Sequence, residues 1–81
     1  MYRARARLCM GEYARHVYKA LLAELRQPAP RKGSVSISME DGCLVISIES
    51  SSLNGLRALL NSFLYLAHAA YSSLVESELS L

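Results

Sequence analysis

The sequence predicts an α+β domain of order β-α-β-β-α, and three observations carry that expectation. Tyr2 to Cys9 alternates apolar and arginine residues, an Asp-Gly pair separates two alternating runs near the middle, and Ser52 to Glu78 reads as one long helix. A period of two places every second side chain on one face of a strand, whereas apolar positions three and four apart define a helix. At 81 residues the chain is expected to form one domain over residues 1–81. A domain of that size buries only about 60% of its unfolded surface, so association is an ordinary route to added stability.

In the first strand Tyr2, Ala4, Ala6 and Leu8 share one side, and Arg3, Arg5, Arg7 and Cys9 share the other. Gly11 breaks the run. From Glu12 to Arg26 the period becomes helical, with Ala14, Val17, Tyr18, Leu21, Leu22 and Leu25 on one face. Gln27-Pro28-Ala29-Pro30 ends that helix, because proline lacks a donor and turns the preceding residue away from helical geometry. Arg31-Lys32-Gly33 completes the loop.

Asp41-Gly42 then joins Ser34–Glu40 to Cys43–Glu49. A type I′ hairpin turn requires positive φ at both central residues, which this dipeptide tolerates. The turn sets Glu40 opposite Cys43 and pairs Met39 with Leu44, Ile37 with Ile46 and Val35 with Ile48, all on one face. The other face receives the serines, Val45 and Glu49. Ser52 is expected to cap the long helix. With a right-handed first crossover, the third strand fits between the first two. The expected sheet is therefore antiparallel, in the order first-third-second, with both helices on its apolar face and an open Arg and Ser face.

The long helix holds more apolar surface than so thin a sheet can cover, which predicts a partner. Leu56, Leu60, Phe63, Ala67, Ala70 and Leu74 form its central stripe, flanked by Leu53, Leu59, Leu64, Leu66 and Tyr71. Its back carries Ala58, Asn61, Ser62, Tyr65, Ala69 and Ser72 rather than charges. Small residues allow close helix approach. That back face, with Arg15, Lys19, Leu22 and Arg26 of the first helix, is the expected docking surface for another protein's helices. The alternative is that small residues are merely tolerated on an exposed helix.

Charge is lopsided although the net value is only +2. Residues 1–32 hold eight basic side chains against two acidic ones, and the remainder holds one against five. Arg3, Arg5 and Arg7 would lie about 6–7 Å apart along one face, comparable to phosphate spacing in a nucleic acid strand. They are candidate RNA contacts, although no aromatic residue interleaves with them for base stacking. The competing reading is an edge strand protected by charge.

Catalytic chemistry is not expected. His16 and His68 are isolated, and neither a phosphate loop nor a nucleophile-base pair is recognisable. No metal or cofactor is expected either. Cys9 and Cys43 fit no disulfide framework and no paired ligand spacing, and read as small strand residues of a reducing compartment. Without a signal segment or a membrane-length apolar run, the expectation is a soluble, cytoplasmic protein.

The element order, the Asp-Gly hairpin and above all Leu56-Arg57-Ala58 followed by Leu60-Asn61-Ser62-Phe63-Leu64 resemble the Pcc family, the small dimer-forming subunit of the KEOPS complex. The resemblance spans nearly the whole chain, and the LRAxLNSFL run is its specific part. It implies a non-catalytic role in forming threonylcarbamoyladenosine on tRNA. The implied partners are the catalytic threonylcarbamoyltransferase subunit, a second copy or a paralogue, and tRNA within the complex. Arg57, Asn61 and Ser62 are the matching motif positions. The chain departs from the family pattern at Ser52, where an acidic cap is frequent, and at Tyr65, where a basic residue is common. The second departure weakens an RNA role for the long helix and leaves open a divergent paralogue that pairs with the standard subunit.

Overall fold

A computed structural model describes the backbone of residues 1–26 and 33–79 and the side chains of 1–26 and 33–76. The elements are β1 (Tyr2–Leu8), a short 3-10 turn (Gly11–Tyr13), α1 (Ala14–Leu25), β2 (Gly33–Glu40), β3 (Cys43–Ser50) and α2 (Leu53–Leu79). The expected order is therefore found, and the sheet runs β1-β3-β2 with both pairings antiparallel. The expected loop Gln27–Lys32 lies outside the described residues.

The turn chemistry sets the hairpin. Asp41 (φ 51°) and Gly42 (φ 78°) both adopt positive φ, and the pairs Glu40 with Cys43, Met39 with Leu44, Ile37 with Ile46 and Val35 with Ile48 form in the expected register. At the far end of the hairpin Gly33 faces Ser50, where an added Cβ would fall on the Glu49 carbonyl oxygen. Gly11 (φ 57°) turns the chain out of β1. The first helical segment opens with the 3-10 turn rather than directly at Glu12, and Tyr13 N–H donates to the Met10 carbonyl at 3.1 Å.

One face of β3 carries the core. Leu44, Ile46 and Ile48 are fully buried against Val17 and Leu21 of α1 and Leu56, Phe63 and Ala67 of α2. Burying each such side chain contributes about 1.5–3 kcal/mol. The α2 stripe also falls where helical periodicity places it, with Leu59, Leu60, Leu64, Leu66, Ala70, Tyr71 and Leu74 packed around these residues. Leu53, the first residue of α2, is the exception: at 44% exposed it lies outside the core. Ser52 caps the helix as expected, its hydroxyl accepting from Gly55 N–H at 2.9 Å. The buried Ser50 hydroxyl in turn accepts from Ser52 N–H at 3.3 Å. Spanning 27 residues, α2 is about 40 Å long at 1.5 Å per residue and sets the 45 Å long axis of the molecule.

The opposite face is less open than the alternation suggests. Val45 belongs to it yet is only 1% exposed. Its cross-strand neighbours are Arg7 on β1 and Ser38 on β2. Arg5 also reaches Glu40 across the central strand, with Nη2 to Oε2 at 2.6 Å. Arg5 stands beside Ser47 and Glu40 beside Cys43, so that bridge passes over Val45. Long arginine stems cover apolar surface while keeping the charged head in water.

Candidate interaction surfaces

Three surfaces hold the residues singled out from the sequence. The first is the back of α2, where Arg57, Ala58, Asn61, Ser62, Tyr65 and Ala69 are all exposed. Burying Leu56, Phe63 and Ala67 against the sheet leaves these positions on the opposite side of the same helix. Tyr65 is 71% exposed, an aromatic ring standing among small neighbours. Such a face combines close approach with one large contact residue. On α1, Arg15, Lys19 and Arg26 are exposed and Leu22 is half-buried. The structure thus presents a nearly uncharged helix face and, on the other helix, a basic strip.

The second surface is the arginine row of β1. Arg3, Arg5 and Arg7 share one face, as their alternation requires, but each faces a carboxylate. Arg3 Nε lies 2.9 Å from Glu49 Oε1, Arg5 contacts Glu40 as described, and Arg7 Nη2 lies 3.9 Å from Asp41 Oδ2. The acids come from β3, β2 and the hairpin turn. Three cations set against three anions make this face electrically mixed. Phosphate binding there would have to compete with pairs already formed within the chain.

The third surface overturns the reading of the cysteines. Cys9 and Cys43 form a disulfide, with Cα atoms 4.4 Å apart. The register explains it. Leu8 pairs with Leu44, so the next step along the antiparallel ladder sets Cys9 beside Cys43, on the same face as the arginines. Directly opposed strand residues approach to about 4.5 Å at non-hydrogen-bonded sites, within disulfide reach. Tyr13 and Tyr71 meet edge to face nearby, with centroids 5.4 Å apart at 64°. Between the end of β1 and α2 lies a groove of about 320 Å³ lined by residues including Leu8, Cys9, Leu64 and Tyr71.

His16 and His68 are both exposed and sit on different helices. Among the described residues, no group of three or more His, Cys, Asp and Glu side chains is placed to hold a metal ion. No helix among them is long and apolar enough to cross a membrane.

The described residues form a three-stranded antiparallel sheet with two helices packed on one face, an α+β fold of order β-α-β-β-α. The chain belongs to the Pcc1 family, described as transcription factor Pcc1, whose model matches residues 2–74. This is the KEOPS subunit family to which the LRAxLNSFL run points. No curated protein matches the chain.

Proposed function

We propose that this chain is a non-catalytic dimerisation and scaffold subunit of the KEOPS complex. In this reading it binds the catalytic threonylcarbamoyltransferase subunit through its helices and supports threonylcarbamoyladenosine formation on tRNA. The observation that carries the reading is the back of α2: Ala58, Asn61, Ser62, Tyr65 and Ala69 are exposed and uncharged on a helix whose other side packs on its own core. Two charges placed there should be neutral for folding and costly for association, because burying an unpaired charge at a docked interface is expensive. The test is the double substitution Ala58→Glu with Ala69→Glu. The expected result is an unchanged circular dichroism spectrum and lost co-elution with the catalytic subunit. Retained co-elution at unchanged folding refutes the docking surface.

The same reading takes Arg15, Lys19, Leu22 and Arg26 as the flank of the docking site and Arg57 as its border. The protein works without a cofactor, in the cytoplasm and off the membrane. It pairs with a second copy or with a paralogue, and tRNA is engaged by the assembled complex. The alternative, a stand-alone RNA-binding module using Arg3, Arg5 and Arg7, is disfavoured by the acids that face all three. The two separate cleanly by experiment. A direct binder shifts isolated tRNA with a salt slope that grows by nearly one unit per phosphate contact, and a scaffold does not.

A further inference from the structure

We propose that the Cys9–Cys43 disulfide is a redox latch that holds the edge strand β1 on the sheet. Among the described residues β1 pairs with β3 and with no second strand, which places it at an edge of the sheet. On its inward side Tyr2 is exposed and Ala4, Ala6 and Leu8 are only half-buried, so its apolar attachment to the core is thin. Its three ion pairs are on the surface, with arginine side chains 49–75% exposed. Exposed pairs of that kind hold weakly. Strand β2, the other edge, is instead tied to β3 through the tight Asp41-Gly42 turn. Beyond its backbone ladder, the strongest tie that β1 has is therefore the disulfide, placed one step past its last ladder pair.

The bond is also reachable. Cys9 is exposed, whereas Cys43 is only 9% exposed. A dithiol reductant attacks Cys9 Sγ as a thiolate, forming a mixed disulfide while Cys43 Sγ leaves as a thiolate and takes up a proton. The reductant's second thiol then displaces Cys9, so two electrons pass to the protein and the reductant ends as a disulfide. Reduction loosens β1 from its C-terminal end, uncovers the edge of β3 at Val45, and separates Arg3, Arg5 and Arg7 from Glu49, Glu40 and Asp41.

Hydrogen exchange on the full chain tests this, with the oxidised protein compared with protein held in dithiothreitol and with the double variant Cys9→Ala, Cys43→Ala. The readout is the protection of β1 amides relative to the interior amides of α2 within each redox state. In the oxidised chain the two are expected to open together. In the reduced chain β1 should exchange at least tenfold faster than α2. Equal protection of β1 and α2 after reduction, whether both fall or neither does, overturns the latch. If the double variant does not fold, the reduced natural chain decides the outcome by the same comparison, and its global unfolding counts against the proposal.

Discussion

Removing the disulfide should lower global stability by an amount that the chain's topology sets. The bond joins residues 34 positions apart. In the chain-entropy treatment a closed loop of 15 residues contributes about 3 kcal/mol and one of 100 about 4.7, which places this loop at about 3.8 kcal/mol. Domains of this size shift their midpoint by about 4–8 °C per kcal/mol, so the variant Cys9→Ala, Cys43→Ala should melt roughly 15–30 °C below the oxidised chain. The effect arises mainly in the unfolded state, because uncrosslinking lets the denatured chain expand and expose more surface. The urea m-value should therefore rise as the midpoint falls. Paired urea and thermal unfolding of the oxidised chain and the variant measures both. A midpoint shift below about 3 °C, or a large shift with an unchanged m-value, would contradict stabilisation through the unfolded chain. The first outcome would remove the loop-entropy term, and the second would move the effect into the native state.

Three further outcomes follow from the geometry. Ser52→Ala removes the cap that accepts from Gly55 N–H and should cost about 1 kcal/mol in chemical unfolding, with Ser52→Asn nearly neutral. Gly42→Ala forces a Cβ onto a residue at φ 78° and should destabilise by about 1–2 kcal/mol; Gly42→Asn, which tolerates that region better, should cost less. A double-mutant cycle of Arg5→Met and Glu40→Gln should give a coupling energy below about 1 kcal/mol that shrinks further at high salt, since the two side chains are 62% and 44% exposed. A salt-insensitive coupling of several kcal/mol would show that the bridge over Val45 is shielded from water.

Local signals in the sequence sufficed for the hairpin, the Ser52 cap and the extent of α2, because turn dihedrals, capping and apolar periodicity all act within a few residues. The outward position of Ala58, Asn61, Ser62, Tyr65 and Ala69 followed from the same periodicity, since burying one side of a helix exposes the other. Two sites escaped. Alternation places Arg3, Arg5, Arg7 and Cys9 on one side of β1 but leaves their partners open, because sliding β1 by two residues along β3 preserves every face. The acids that meet the arginines were each visible in the sequence, but nothing local tied them to β1.

The elements, their order and the sharing of faces were thus readable along the chain, because those properties depend on near neighbours in sequence. That Leu8 stands opposite Leu44 came only with the folded chain, since α1 and β2 lie between the two strands and no local turn sets their register. From that one register follow the Cys9–Cys43 bond, the pairing of the arginine row and the burial of Val45. A face expected to be open and basic is for that reason crosslinked and charge-balanced.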